Sequence, residues 1–251
     1  MQATPDLTRL FRRIELRVPL VEREKSVLVA AVNRTYIVPA KSEIVHDGAR
    51  PNVSTVLITG FAARSKHVEN GSRQITAIHV PGDFVDLHSF PLKVMDHSVT
   101  AVTDCEVATV PHAKLANIVA TEPNLTTALW LLTLLDGAIH REWLVSMGAT
   151  SAEAHMAHLF CEMFMRLKAV ELTEGNRFLF PVTQHELAAT LGLSGVHVNR
   201  VLQSLRGQSL IEFDGRQATI LDWPGLVALG QFDPTHLHLP GTDVLREFGP
   251  D

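Results

Sequence analysis

Four side chains between positions 196 and 203 have the types and spacing needed to read DNA bases. They are Val196, Asn199, Arg200 and Gln203. On a helix these positions share one face. Arginine can bond guanine through two hydrogen bonds, asparagine and glutamine suit adenine, and valine can touch the methyl group of thymine. The segment therefore predicts a helix that docks in the major groove.

Two helix starts and one turn would position this face. Thr183 and Glu186 have the spacing of a capping box, so each can satisfy a backbone N–H of the other. Gly192 can form the turn, and Ser194 can cap the next helix through its hydroxyl. Apolar residues recur in that helix at the spacing of a buried face. These residues are Val198, Val201, Leu202 and Leu205. The pattern predicts a helix-turn-helix.

A hairpin follows the two predicted helices. Apolar and polar residues alternate over residues 211–220 on both sides of Asp214-Gly215, which is a strong hairpin signal. A helix-turn-helix followed by a hairpin is a winged helix-turn-helix. The predicted DNA contacts are Thr183, Gln184, Ser194, Val196, His197, Asn199, Arg200 and Gln203. The alternative is a small structural pair of helices, but caps, glycine, buried face and polar face all agree with the DNA-reading interpretation.

Composition limits the classes of protein that fit. The chain has 251 residues, a net charge of −5 and 46% hydrophobic residues, which support a real core. No apolar run reaches the ~18 residues of a membrane span, and the N-terminus lacks the apolar core of a signal peptide. We expect a soluble cytoplasmic protein that does not associate with membranes. The negative charge argues against general polyanion binding, so a DNA reader would need a local basic surface and two subunits.

Only two cysteines are present, Cys105 and Cys161. They exclude a four-cysteine iron–sulfur cluster within one chain. Neither lies in a CxxC pair, so structural zinc held by cysteine is not expected. We expect two reduced, partly buried thiols.

The first half of the chain predicts an antiparallel β-roll. From Arg34 to Val110 short alternating segments are separated by proline, glycine and Asn70-Gly71, the last a hairpin signal. Many short strands with frequent turns are typical of a closed roll or jelly roll. We assign residues 1–120 to this domain, which resembles a cyclic-nucleotide-binding domain, and the whole chain to the α+β class.

A long helix is predicted over residues 121–147. Six positions in it, five of them apolar, recur in alternating steps of four and three, which is the seam of a coiled coil. The seam consists of Leu125, Leu129, Leu132, Asp136, Ile139 and Trp143. We interpret residues 121–150 as a dimerisation helix and hinge. A second apolar side, Leu131, Leu134, Leu135 and Ala138, is expected to pack on the β-roll. The alternative is an ordinary buried helix.

The remaining residues complete the DNA-reading half. Gly148 suggests a hinge, and Ser151 can cap a further helix that extends to about Lys168. We assign residues 151–230 to the winged helix-turn-helix domain. Residues 231–251, rich in proline, glycine and histidine, predict a loosely ordered tail.

The order of β-roll, seam helix, hinge and winged helix-turn-helix resembles the CRP/FNR family of bacterial transcription regulators. The most specific matching segments are TQHELAATLGLSGVHVNRVLQSL and RQITAIHVPGDFVDLHSF. The resemblance implies a homodimer on palindromic double-stranded DNA, an effector in the β-roll and contact with RNA polymerase. The implied effector-binding residues are Asp86, His88, Ser89, His97 and Ser98.

Two departures from the family change those expectations. Where cyclic-AMP-binding members have an arginine for the phosphate, this chain has His97, and Asp86 places an acid where their Gly-Glu pair lies. A buried phosphate needs a fixed cation, so we expect a small-molecule effector other than cyclic AMP and leave its identity open. Many members also carry a glutamate at the position of Val196. Valine cannot accept from cytosine, so the half-site should differ there.

No metal site or enzyme is predicted. Asp86, His88 and His97 offer one carboxylate and two imidazoles, but thirteen histidines make such coincidences easy. The pairs His155/His158 and His236/His238 are weaker signals still. No nucleophile elbow, Walker loop, HExxH or GxGxxG occurs. The alternatives left open are a cupin-like metal-dependent enzyme and a scaffold with a degenerate sensor, each with a DNA-binding tail.

Overall fold

The computed structural model describes residues 4–69 and 71–250, and it confirms the α+β class. The described residues form two compact units. The first contains residues 4–69 and 77–136, and the second contains residues 71–76 and 137–250. Within this part of the chain, no helix combines the length and apolarity of a membrane-spanning segment.

The first unit is built on the predicted β-roll. Two helices precede it, α1 (Thr8–Glu15) and α2 (Glu22–Ala31). The strands are β1 (Arg34–Val38), β2 (Glu43–Val45), β3 (Val53–Thr59), β4 (Ala62–His67), β5 (Arg73–His79), β6 (Ser98–Ala101) and β7 (Cys105–Pro111), and only the last three residues of β5 belong to this unit. They form an antiparallel sheet of order β1-β7-β3 and a second sheet of order β2-β6-β4-β5. The predicted Asn70-Gly71 turn includes residue 70, which lies outside the described residues.

Strands β3 and β7 are buried on both faces, because each face packs into a different apolar cluster. In β3 and β7, Leu57 pairs with Val107, and both side chains are fully buried in one apolar cluster. Two helices, α3 (Ser89–Leu92) and α4 (His112–Thr121), follow β5 and β7. A second cluster buries α1, α2, α4 and the start of the next helix against β3. Burial of this much apolar surface is the main stabilising contribution to the unit.

The long helix α5 covers Pro123–Ala149, two residues later than predicted. Its 27 residues correspond to ~40 Å at ~1.5 Å per residue. Five of the six predicted seam residues are buried within the single chain, namely Leu125, Leu129, Leu132, Ile139 and Trp143. The expected packing of Leu134 on the β-roll is wrong, because its side chain is 53% exposed.

The second unit is organised around α6 (Ala152–Ala169), which is buried on nearly every side. Its predicted cap is present, since Ser151 Oγ accepts a hydrogen bond from the backbone N–H of Ala154 at 3.1 Å. The unit adds α7 (Gln184–Leu191), α8 (Gly195–Gly207), α9 (Trp223–Gly230) and α10 (Val244–Glu247). Its strands β8 (Thr173–Glu174), β9 (Arg177–Leu179), β10 (Ile211–Phe213) and β11 (Gln217–Ile220) form one sheet of order β10-β11-β9-β8.

The C-terminal tail differs from its prediction, and the two cysteines are buried. The prediction of a loosely ordered tail is wrong for residues 231–237, because Phe232 and Leu237 are buried and Pro234–Leu237 form a 3₁₀ turn. The two thiols are free and buried in different units, as expected. Burial raises the pKa of Cys105 to about 11, so this thiol is protonated and unreactive at neutral pH.

Candidate DNA-binding surface and sensor residues

The first helix of the helix-turn-helix, α7, begins where the sequence predicts. The backbone N–H of Thr183 donates to Glu186 Oε2 at 2.7 Å, and the backbone N–H of Glu186 donates to Thr183 Oγ1 at 3.2 Å. This is the reciprocal capping box. The helix ends at Gly192, whose φ of +66° is a left-handed conformation that favours glycine. Local sequence therefore determines both ends of α7.

The second helix, α8, is fixed by one cap and one buried stripe. Ser194 Oγ accepts from the backbone N–H of His197 at 3.3 Å. The four predicted apolar residues, Val198, Val201, Leu202 and Leu205, are all buried. At the other end the Arg206 guanidinium donates to the backbone carbonyl of Phe213 in β10. These contacts hold the helix against its own domain and leave the opposite face uncovered.

That uncovered face carries the residues predicted to read bases. Val196 is 85% exposed, which is unusual for a valine, and Asn199, Arg200 and Gln203 are exposed as well. Among the described residues, none of these three polar side chains has a hydrogen bond or an ion pair with another protein group. Thr183, Gln184 and Ser194 are also exposed at the helix starts, and His197 is half-buried. Donors and acceptors on this face are therefore available to a ligand.

The wing adds a cation that sequence reasoning left out of the site. Asp214 Oδ1 accepts from the backbone N–H groups of Arg216 at 2.8 Å and Gln217 at 2.7 Å. Gly215 completes the turn with a φ of +91°. The Arg216 side chain at this tip is exposed. Its position in the turn between the two strands of the wing could have identified it as a candidate DNA contact.

Of the five residues predicted to bind an effector, three have hydrogen-bond partners in other parts of the first unit. Asp86 is fully buried, and its carboxylate accepts from the backbone N–H of Thr55 at 2.5 Å and from Thr55 Oγ1 at 3.2 Å. Ser89 Oγ lies 3.3 Å from Nε2 of His112. Ser98 Oγ accepts from the backbone N–H of Asp47 at 3.1 Å. These three side chains are bonded to neighbouring elements of the roll.

The other two predicted residues, His88 and His97, lie next to each other. Their ring centroids are 4.9 Å apart, and Nδ1 of His97 is 2.7 Å from Asp96 Oδ1. Burial, followed by the positive charge of Arg64, lowers the pKa of His97 to about 4 and also lowers the pKa of His88. Both imidazoles are therefore neutral at neutral pH.

The nearby Arg64 was not predicted as a site residue, and its partner Asp136 was predicted only as a residue of the dimer seam. Arg64 is buried in β4, and its guanidinium donates to Asp136 Oδ2 of α5 at 2.6 Å. Asp136 thus has an ionic partner within its own unit. A charged residue at an inward position of an alternating strand was the available signal for Arg64, but its partner is 72 residues away.

Comparison with known proteins supports both halves of this description. Residues 37–122 match the family model of the cyclic nucleotide-binding domain, and residues 154–229 match that of the Crp-like helix-turn-helix domain. The transcriptional activator protein FnrL of Cereibacter sphaeroides is 26% identical over 185 residues, covering 72% of this chain and 74% of that protein. The nitrogen fixation regulation protein FixK of Azorhizobium caulinodans is 24% identical, with 77% of each chain covered.

A solved structure shows the same fold over most of the chain. FixK2 from Bradyrhizobium japonicum superposes with a TM-score of 0.70 at 22% identity, covering 78% of this chain and 96% of that one. At this identity the likeness establishes the fold, whereas function has to be argued from the site.

Proposed function

The chain belongs to the CRP/FNR family of transcription regulators, and we propose that it binds a palindromic DNA site as a homodimer under the control of a small molecule held by the β-roll. Its relatives are regulators and not enzymes, and its helix-turn-helix domain is the DNA-binding part. The proposal covers the residues that read bases, the side of α5 that forms the dimer contact and the molecule that acts as effector. RNA polymerase is the expected protein partner on DNA.

The observation that carries the proposal is the uncovered face of α8. Asn199, Arg200 and Gln203 have no protein partners among the described residues, although the opposite side of the helix is packed into its domain. Polar side chains that are ordered by a rigid helix and left unpaired can form base contacts without breaking existing hydrogen bonds. We assign Arg200 to a guanine and Val196 to an apolar contact near a thymine methyl.

We propose that the dimer contact lies on a different side of α5 from the predicted coiled-coil seam. That seam is largely buried within the chain, and Asp136 in it is bonded to Arg64. On the side that faces solvent, Trp130 is 67%, Leu134 53% and Leu144 60% exposed. With Gly137 and Arg141 they recur at steps of four and three, which is coiled-coil spacing. We propose that this side, the Trp130 face, packs on the same face of a second copy.

A dimer also compensates for the small number of positive charges in one DNA-binding unit. The chain carries a net charge of −5, so phosphate attraction by one copy is small. Two copies double both the base contacts and the few local cations, which include Arg200 and the exposed Arg216 at the wing. The two-fold symmetry of such a dimer requires a palindromic site.

The effector proposal rests on the polar groups of the β-roll. The guanidinium of Arg64 already bonds Asp136, and the neighbouring imidazoles of His88 and His97 are uncharged at neutral pH because their pKa values are lowered. A cyclic phosphate would have to separate the Arg64–Asp136 pair to gain a cation. We therefore propose an effector other than cyclic AMP, in contact with His88 and His97. Calorimetric titration should show no micromolar binding of cyclic AMP; such binding would reject this part.

The central test compares binding-site selection by the wild type and Arg200→Ala from a pool of random DNA. Losing a guanine contact costs ~1–3 kcal/mol per half-site, so a dimer should lose ~10²-fold or more in specific affinity. The preference at one base pair per half-site should relax. Val196→Glu should change the preferred base instead, because a carboxylate accepts from cytosine. Arg50→Ala is the matched control, since it removes an exposed arginine from the other unit.

The outcome that rejects the assignment is unambiguous. If Arg200→Ala selects the same palindrome with unchanged preference at every position, α8 is not the reader.

The dimer contact has its own test in sedimentation velocity. Replacing Trp130 and Leu134 with lysine should give folded monomers that bind DNA weakly, because both side chains are exposed in the single chain. Leu92→Lys is the control, since Leu92 is 65% exposed on α3. A double variant that still sediments as a dimer at the wild-type concentration would place the contact elsewhere.

A further inference from the structure

Three metal-binding side chains meet inside the second unit, where the sequence showed only scattered histidines. His158 and Glu162 lie one turn apart on α6, and the 3₁₀ turn of the tail brings in His236. One ligand atom from each residue lies within 4.8 Å of the other two. His158 is 2% exposed and Glu162 is fully buried. The tail is therefore folded onto α6 at a group of largely buried polar atoms.

Both imidazoles are oriented by the backbone. The Nδ1–H of His236 donates to the backbone carbonyl of Asp233 at 2.8 Å, and the ring of His158 has a hydrogen bond with the backbone of Gly230. The Nε2 atoms of both rings are buried without a hydrogen-bond partner. Metal-binding histidines usually have this arrangement, with one ring nitrogen held by a carbonyl and the other directed at the ion. A buried nitrogen without a partner otherwise reduces stability.

The carboxylate of Glu162 is held in place by two donors. Arg166 donates to its Oε1 at 3.0 Å, and the indole N–H of Trp143 donates to its Oε2 at 2.9 Å. Burial raises the pKa of Glu162, but His236 and Arg166 outweigh it and bring the pKa to about 2. The group is thus ionised at neutral pH, and Oε2 keeps a lone pair on the side of His236.

We propose that a divalent transition-metal ion of the zinc class binds between His158 Nε2, Glu162 Oε2 and His236 Nε2. Glu162 Oε2 lies 3.5 Å from His236 Nε2, which is long for a hydrogen bond. In a tetrahedral site with bonds of ~2.1 Å, neighbouring ligand atoms are ~3.4 Å apart. Two imidazoles and one carboxylate suit zinc, cobalt, nickel or ferrous iron, whereas magnesium and calcium prefer oxygen. A water molecule would complete the coordination.

The charged groups around the site determine whether it favours a positive charge. Burial lowers the pKa of His236, but Glu162, followed by other acceptors and Glu142, raises it above its ordinary value overall. Glu142 and Glu162 also act against the burial that lowers the pKa of His158. The two carboxylates offset the positive charge of Arg166. These carboxylates therefore favour a bound cation.

The histidine pair in the β-roll is a poorer metal site. Asp96, the carboxylate that lies close to both His88 and His97, has a 76% exposed side chain and already bonds His97. The positive charge of Arg64 lowers the pKa of both imidazoles and would repel a bound cation as well. The same donor types therefore favour a cation in the second unit and disfavour it in the first.

The test is metal titration of the full chain after removal of metal with a chelator. We expect one Zn²⁺ per chain, and Co²⁺ should give the visible absorption of a tetrahedral nitrogen–oxygen site. His236→Ala and His158→Ala should each weaken binding at least ~10²-fold. His238→Ala is the matched control, because His238 is an exposed histidine in the same tail. His97→Ala controls for the β-roll pair.

The remaining readouts keep the result decisive if a variant folds poorly. Zn²⁺ should raise the Tm of the wild type and of His238→Ala, but not that of His236→Gln, which preserves more of the ring's volume. The proposal is overturned if the wild type takes up no ion, or if the His236 variants retain one ion with unchanged affinity. Metal uptake is measured without DNA, so this result is independent of the proposed function.

Discussion

The helix α8, which we propose reads DNA, and the interior of the β-roll both carry polar side chains, yet these side chains are in opposite situations. Asn199, Arg200 and Gln203 on α8 are exposed and have no protein partner in the described part of the chain. In the β-roll, Asp86 and Arg64 are buried and bonded to Thr55 and Asp136. A side chain that is already paired stabilises the fold, and an unpaired exposed one is available to a ligand.

This contrast predicts which property, stability or DNA binding, each substitution should change. Changes inside the roll should alter the free energy of unfolding, because they leave buried groups without partners. Changes on the face of α8 should alter DNA binding and leave stability within ~0.5 kcal/mol. Each prediction below tests one side of that separation.

The largest expected effect is the pH dependence caused by Asp86. Burial raises its pKa from 3.8 to about 7 in the folded chain. The unfolded chain releases this proton near its ordinary pKa, so Asp86 stabilises the fold most at low pH and progressively less as the pH rises to 7. The loss is on the order of 4 kcal/mol. Asp86→Asn should remove this contribution, measured by urea unfolding at several pH values. Equal pH profiles for the two proteins would contradict it.

Removing the same side chain should have the next largest effect. Asp86→Ala leaves the buried backbone N–H of Thr55 without its acceptor and creates a small cavity. We expect a loss of about 3 kcal/mol at pH 5, where Asp86 is protonated in the folded chain. The control is Asp47→Ala, because the side chain of Asp47 is 48% exposed. Equal midpoints of unfolding for the two variants would show that Asp86 is not a stabilising group.

On α8 we expect the reverse behaviour. Asn199→Ala should weaken specific DNA binding by ~1–3 kcal/mol per half-site and relax the preference at one base pair. Its unfolding midpoint should match that of the wild type, since Asn199 is exposed and unpaired. Fluorescence anisotropy on cognate and scrambled sites measures the first quantity. A variant that loses stability but keeps its specificity would show that Asn199 stabilises the fold and does not read a base.

The smallest effect is expected at Ser194, which belongs to both sides of the comparison. Its hydroxyl caps α8 by accepting from the backbone N–H of His197. Ser194→Ala should cost about 1 kcal/mol of stability and weaken binding to all DNA sequences alike, through positioning of the helix. Ser194→Asp should restore the cap and most of the stability. Loss of preference at a single base pair would instead make Ser194 a reading residue.

Some of the molecule was determined by local sequence. The capping box at Thr183, the left-handed Gly192 and the cap at Ser194 each act within one turn of chain. The buried and exposed faces of α8 follow directly from helical periodicity. For these reasons the helix-turn-helix and its eight predicted contact residues could be proposed before the structure was known. The two hairpin strands of the wing followed from alternation around Asp214-Gly215 in the same way.

The side of α5 that is left free could not be predicted in this way. This helix is apolar on more than one side, so periodicity identifies apolar stripes without showing which is covered by the chain itself. The structure buries the stripe through Leu132 and Ile139 and exposes the one through Trp130 and Leu134. Only the tertiary packing within each unit decides which stripe is covered.

The polar groups inside the two units depended on tertiary structure most of all. Arg64 meets Asp136 across 72 residues, and His236 reaches Glu162 across 74 residues of chain. No local rule of spacing relates such positions, because loop closure and burial of the surrounding apolar surface bring them together. The sequence was enough to predict α8 as a base-reading helix, because its pattern is local. Tertiary structure alone decided which buried charges and imidazoles face one another, and hence where a metal ion could bind.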